Sequence, residues 1–233
     1  MSWRDTSGAL ASPGASGYKA GSRPESAVPP RPKARRPLAP PRTGRVARKT
    51  RETDVRVALD LSGGPAEVST GVPFFDHMLE QLSRHGGMGL AVRARGDLEV
   101  DAHHTVEDVG IAIGKALEAA LGDKGGVARY GNALVPLDEA LAEAVVDLSG
   151  RPHLTWNASL PSGKKFIGAF DVDLTRDFFQ ALVNHARITL HVNVRYGRNL
   201  HHVVEAIFKA SARALRGAVA REGTGVPSTK GML

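Results

Sequence analysis

HHTVEDVGIAIGKAL, residues 103–117, and HHVVEAIFKASARAL, residues 201–215, are two versions of one segment. They share both histidines, a valine, the glutamate and the closing Ala-Leu, and Lys115 faces Arg213. Apolar residues also fall in register: Val106 with Val204, Val109 with Ile207, Leu117 with Leu215. Their spacing, near 3.6 residues, predicts two helices whose first turns carry the polar cluster. Self-similarity across such a distance is the signature of an internal duplication, and it decides the fold.

Working outward, DHMLEQLSRHGGMGLAV (76–92) aligns with RDFFQALVNHARITLHV (176–192) at an offset of 100, pairing Leu82 with Leu182, His85 with His185 and Leu90 with Leu190. At the HHxxE segments the offset is 98. That predicts a two-residue deletion in a turn between strands, where length changes are best tolerated. The unit reads as helix, strand hairpin, helix. DVRVALDLSG (54–63) and PAEVSTGV (65–72) alternate apolar and polar residues, as strands do, and Pro73 suits the first turn of the helix containing FFDHMLEQL. GGVARYGNA (125–133) reads as a break, and EAVVDLSG (143–150) and PHLTWNASL (152–160) as strands. The expected fold class is α/β, an α+β sandwich: an internally duplicated domain whose two β-sheets cover a four-helix layer, with repeats at about 45–128 and 129–233.

At 233 residues and 42% hydrophobic, the chain can bury a sizeable core. It has no cysteine, which excludes disulfides and thiolate metal sites and leaves His, Asp and Glu as ligands, donors suited to manganese, iron or zinc. No apolar run approaches the ~18 residues of a membrane span, and the N-terminus lacks a secretory apolar core, so a cytoplasmic protein with no membrane partner is expected. The net charge of +7 resides in one place. Residues 1–50 hold 11 Lys or Arg against Asp5 and Glu25, whereas the remainder holds 20 basic and 22 acidic residues. Residues 1–44 also hold 8 of the 14 prolines and few large apolar side chains, so they read as a disordered basic extension, with the folded domain at 45–233.

In an HHxxE segment opening a helix, His103 or His104 shares a face with Glu107, since spacings of three and four residues do so. Adjacent histidines cannot both take that face, so each pair serves two directions or two ions. One such cluster reads most simply as a polar helix start; two in register need a cause. His77 lies upstream on the first helix, and the duplication aligns it with Asp177, which could be a ligand or a helix cap. His77, His103, His104, Glu107, Asp177, His201, His202 and Glu205 are thus eight candidate ligands, enough for two octahedral ions with positions left for substrate. The donor set suits Mn²⁺ or Fe²⁺ and does not choose between them.

FFDHMLEQLSRHG (74–86), DAHHTVEDVG (101–110), RYGNALVPLDEAL (129–141), DLSGRP (147–152), HHVVEAIFKASARALR (201–216) and PSTKG (227–231) resemble, in order and spacing, the signature segments of the imidazoleglycerol-phosphate dehydratase family of histidine biosynthesis. The resemblance runs from about Arg45 to Leu233. It implies a Mn²⁺-dependent lyase, with two ions per site, that dehydrates imidazole glycerol phosphate to imidazole acetol phosphate. The proton to be lost sits on carbon with no carbonyl to acidify it, so the imidazole ring must relay electrons as water leaves. Ions on the ring nitrogens would act as Lewis acids and templates.

By the same resemblance, His77, His103, His104, Glu107, His201, His202 and Glu205 are the metal ligands, whereas Asp177 enters the candidate set through the duplication alone. Glu107 or Glu205 also serves in proton transfer, and Glu52 is a further acid/base. Gln81 and His85 line the substrate cavity. Arg129, Arg151, Lys209, Ser228 and Lys230 hold the phosphate. The family assembles as a 24-subunit homo-oligomer in which histidines from different chains meet at one ion. Two rivals stand beside this reading. A di-metal hydrolase would use similar ligands. A nucleic-acid-binding module would need a basic fold, against which the excess of acidic residues beyond residue 50 argues.

Overall fold

In a computed structural model, the described residues are 42–161, 163, 165–231 and 233. Residues 1–41 of the N-terminal extension lie outside them. The elements run β1 (Thr43–Lys49), β2 (Thr53–Asp60), β3 (Ala66–Ser69), α1 (Pro73–Gly86), β4 (Gly89–Gly96) and α2 (His103–Leu121). The same series then recurs as β5 (Tyr130–Leu137), β6 (Ala140–Asp147), β7 (His153–Asn157), α3 (Leu174–Ala186), β10 (Thr189–Tyr196) and α4 (Leu200–Ala218), with a short ribbon, β8 (Phe166–Ile167) and β9 (Phe170–Asp171), inserted before α3.

The two halves share one topology. Strand order is β1-β2-β4-β3 in one sheet and β5-β6-β10-β7 in the other. In each sheet the first three strands in spatial order are antiparallel and the last pairs in parallel. This corrects the helix, hairpin, helix unit. A single strand separates the two helices of each half, and the change of offset falls in the loop between that strand and the HHxxE helix, 97–102 in one half and 197–199 in the other. Besides the two-residue ribbon strands β8 and β9, two strands escaped the periodicity. β1 is an edge strand with Arg45 and Lys49 exposed, and β5, whose start was read as part of a break, carries Gly131, Asn132 and Pro136, residues that an edge tolerates.

Alternation fixes which face of each sheet is covered. Val55, Val57 and Leu59 of β2 and Leu90 and Val92 of β4 point inward, as do Ala142, Ala144 and Val146 of β6 and Leu190 and Val192 of β10. Against these faces lie α2 and α4, while α2 packs on α3 and α1 on α4, so the helices form a layer between the sheets. Five of the seven phenylalanines seal its centre: Phe75 meets Phe178 edge-on at 5.4 Å, Phe178 stacks on Phe208 at 5.4 Å, and Phe179 and Phe170 complete the cluster. Among the described residues no helix is long and apolar enough to cross a membrane.

One device holds sheet to helix in both halves. A Cβ on Gly44 of β1 would stand 1.9 Å from the carbonyl oxygen of Ala116 in α2, and a Cβ on Gly131 of β5 would stand 1.9 Å from that of Ala214 in α4. Backbone meets backbone at each crossing, so no side chain can rotate away. Gly131→Ala should therefore destabilise at the upper end of the ~1–3 kcal/mol typical of over-packing or beyond. Gly217→Ala, whose new Cβ would find only the Gly131 Cα at 3.4 Å, should be neutral or stabilise by up to ~1 kcal/mol through helix propensity. Equal melting temperatures for the two variants would contradict this account.

Candidate functional site

The helix pairing carries ligand-type side chains across the boundary between the halves. His77, on α1, comes from the first half; His201 and Glu205, one turn apart on α4, come from the second. His77 Nε2 lies 3.4 Å and His201 Nε2 3.0 Å from Glu205 Oε2, and all three donor atoms fall within 4.8 Å of one another. Glu205 is only 9% exposed. Burial pushes its carboxyl up, but Lys209 Nζ, 2.6 Å from Oε1, and the two imidazoles outweigh burial and hold it below the usual carboxylate range.

The pseudo-equivalent place joins α2 to α3. His103 Nδ1 stands 3.7 Å from Asp177 Oδ2. Asp177 sits inside the first turn of α3, whose N-cap position is Asp173, so its side chain faces His103 and does not cap the helix. Glu107 is exposed, and its side chain has no hydrogen-bond partner among the described residues. His103 and His201 both border a cleft of about 830 Å³, together with Asp177, Phe74, Leu98 and Phe170. Both clusters thus open into one space.

The second histidine of each pair turns elsewhere. His104 is roughly perpendicular to His103, and His202 to His201. His104 Nδ1 donates to Asp97, at 3.0 and 3.2 Å from its two oxygens, and that bond raises the imidazole above its ordinary range. His202 Nδ1 donates to Glu139 Oε2 at 2.7 Å. Glu139 also accepts the backbone N–H groups of Asn199 and Arg198, and these bonds, His202 first, bring its carboxyl down to about 2. Glu52 is exposed in the β1–β2 turn, close enough to His104 for its charge to act on that ring.

Of the residues expected to bind substrate, Gln81 Oε1 and His85 Nε2 meet at 3.2 Å on α1. Burial and then the nearby Lys209 lower the His85 imidazole, which places this pair beside the Glu205 cluster. Arg129, Arg151, Ser228 and Lys230 gather around a separate hollow of about 380 Å³ with Arg187. Arg129 is partly committed there, its Nε 2.8 Å from Asp147 and one Nη donating to the Pro227 carbonyl. Lys209 does not line that hollow; the structure gives it to Glu205.

Asp97, Glu139 and Asp147 received no role from the motifs, although RYGNALVPLDEAL contains Glu139 and DLSGRP begins with Asp147, because each acts on a residue far away in sequence or across a turn. One signal was available for Glu139. LDLSG (59–63) recurs as VDLSG (146–150) at an offset of 87, which carries Glu52 onto Glu139.

Comparison with known proteins agrees with the geometry. The family model for imidazoleglycerol-phosphate dehydratase matches residues 70–215. The imidazoleglycerol-phosphate dehydratase of Anaeromyxobacter sp. (strain K) is 76% identical over 201 residues, 86% of this chain and 97% of that one. The crystal structure of imidazoleglycerol-phosphate dehydratase from Staphylococcus aureus subsp. aureus N315 superposes with a TM-score of 0.70 at 41% identity, covering 77% of this chain and 99% of that one. The Pyrococcus furiosus enzyme, in complex with (S)-C348, does so with a TM-score of 0.71 at 36% identity, covering 81% and 100%. Sequence and architecture together place the chain in the imidazoleglycerol-phosphate dehydratase family, as a hydro-lyase of that family.

Proposed function

We propose that this chain dehydrates imidazole glycerol phosphate to imidazole acetol phosphate in histidine biosynthesis, as a Mn²⁺-dependent cytoplasmic enzyme with two ions per site that works as a homo-oligomer of 24 subunits. The observation that carries the proposal is the convergence of His77, His201 and Glu205 within 4.8 Å, drawn from both halves of a chain of this family. The donors fit the ion. Two imidazole nitrogens and a buried carboxylate oxygen are ligands manganese accepts, and Lys209 and the imidazoles keep that carboxylate ionised. His103 and Asp177 offer a nitrogen and an oxygen on the same cleft that His201 borders. When bound, Mn²⁺ would polarise the substrate's imidazole and fix its orientation.

The residues divide the remaining work. In passing from a glycerol to an acetol side chain, the carbon attached to the ring loses its hydroxyl and its neighbour loses a C–H proton. The resulting enol becomes a ketone as the first carbon is reprotonated. The leaving hydroxyl needs an acid, the C–H proton needs a base, and each carboxylate must be able to release what it takes. Glu52 and Glu107 are exposed and can exchange protons with a substrate, whereas Glu205 is tied to Lys209. Arg129, Arg151, Ser228 and Lys230 supply the cationic and hydroxyl donors for a phosphate. Lys209 serves by holding Glu205 ionised, and would meet a phosphate only beside that carboxylate.

Turnover of imidazole glycerol phosphate, followed by ultraviolet detection of the product, tests the function: activity should vanish with EDTA and return with Mn²⁺. Full activity in metal-stripped protein would sink the metal reading. Asp177→Ala should weaken Mn²⁺ binding, and Asp177→His should keep most activity while shifting preference towards zinc; unchanged Mn²⁺ affinity in the alanine variant would remove Asp177 from the ligand set. Lys209 generates a pH prediction. A carboxyl depressed by folding contributes stability above its ordinary range and loses it as pH falls through the depressed value. Lys209→Met removes the first of the causes that lower Glu205, so with EDTA present the acid-unfolding midpoint followed by circular dichroism should move to higher pH. An unmoved midpoint would mean that Lys209 does not control Glu205.

A further inference from the structure

Glu52 and Glu139 occupy one position in the duplicated backbone. Lys49 pairs with Asp54 across the β1–β2 turn, and Pro136 pairs with Leu141 across the β5–β6 turn. Four residues lie between the partners in each case, and the third is Glu52 in one half and Glu139 in the other. Their surroundings differ completely. Glu139 takes the His202 Nδ1 proton on Oε2 at 2.7 Å, and the Arg198 and Asn199 N–H groups on Oε1 at 3.1 and 2.7 Å. Glu52 bonds only through its own backbone N–H, which donates to Thr50 Oγ1, and among the described residues its side chain has no partner.

The first half assigns those duties to two other carboxylates. Asp97, immediately after β4, accepts from His104 Nδ1. The matching residue after β10 is Gly197, where a Cβ would stand 2.3 Å from Val203 Cγ2. Asp108, buried beneath the β1–β2 turn, accepts from Arg48 at 2.9 Å and from the Thr53 hydroxyl, and so ties the turn to α2. By the two offsets, the counterparts of Arg48, Thr53 and Asp108 are Val135, Ala140 and Ala206, none of which can make these bonds.

An ionised carboxylate only accepts hydrogen bonds, so its partner nitrogen must carry the proton. For His104 and His202 that nitrogen is Nδ1, which leaves Nε2 as the lone-pair donor. Among the described residues His202 Nε2 has only long contacts, to Asn199 Nδ2 at 3.5 Å and Asp138 Oδ2 at 3.9 Å. Resting on the metal reading above, we infer that Glu139 and Asp97 are positioning residues that lock His202 and His104 with Nε2 presented to an ion, and that Asp97 and Asp108 relieve Glu52 of its counterpart's structural task, leaving it free to move protons.

Glu139→Gln tests the inference in the full-length protein. Gln keeps the size of Glu and an oxygen for the Arg198 and Asn199 N–H groups. Its amide nitrogen, however, must donate to His202 Nδ1, which forces the proton onto Nε2 and blocks the ligand atom. Solid-state ¹⁵N spectra of the metal-free protein, labelled at histidine, should show one ring changing tautomer, and Mn²⁺ affinity should fall ~10–100-fold with little change in melting temperature. Asp97→Asn should do the same for His104. Glu52→Gln should keep the wild-type histidine spectrum and Mn²⁺ affinity while turnover falls ~10²–10⁴-fold. Wild-type Mn²⁺ affinity in Glu139→Gln, or an equal loss of affinity in Glu52→Gln, would overturn the inference even if the wild-type protein binds Mn²⁺ and turns over substrate. Failure of the wild-type protein itself to bind Mn²⁺ would overturn the metal reading and this inference together.

Discussion

The Glu205 carboxylate, nearly sealed from solvent where the two halves meet, is the interaction to which most of the structure answers. A buried carboxylate is strongly unfavourable unless its oxygens are occupied. Here one oxygen takes Lys209 from the same helix, and the other faces His201 and, from the first half, His77. Satisfying it requires α1 to lie on α4. Because each half repeats the same chain path, α3 then lies on α2, the helices close into a single layer, and each sheet covers the outside of its own half. The clusters are therefore properties of the pair of repeats, since neither half contains one alone.

Identical backbones have been given unequal side chains. Where α1 carries His77, α3 carries Asp177, and the His103–Asp177 approach at 3.7 Å is looser than the Glu205 cluster. The outer sheet faces diverge too. The first exposes Arg45, Arg56 and Arg93, the last two directly opposed across β2 and β4; the second exposes Tyr130, Leu134 and Val145. Like charges opposed on a sheet weaken it, and exposed apolar side chains bring no stability to a lone subunit. Neither face has been shaped for the stability of one half by itself.

Much of this was legible in the sequence for a simple reason: the duplicated segments carry both a 3.6-residue apolar period and their chemistry, so aligning HHTVE with HHVVE located the helices and the histidines at once. The two-sheet, four-helix layer followed from amphipathic faces that must be covered. What stayed hidden depended on contacts across the chain. Edge strands β1 and β5 mix Gly, Pro and charged residues because only one of their sides is paired. The bond of Lys209 to Glu205 needed the burial of α4 to be known. Asp97 and Glu139 lie outside every HHxxE segment, in loops whose positions the folded sheets alone determine.

Counting donors takes the proposed chemistry one step further. An octahedral ion takes six ligand atoms, and the Glu205 cluster offers three. Substrate and solvent can supply some of the rest, yet this chain also carries His104 and His202, each held by a carboxylate at Nδ1 and turned away from its neighbouring histidine. Among the described residues neither ring belongs to a ligand cluster of its own subunit, and histidines held in this way suit an ion shared with another copy. On the proposed reading, the carboxylates that lock these rings thereby connect the chemistry of one subunit to the assembly of many: the atoms that would complete a metal site are the ones that would hold a neighbouring chain in place.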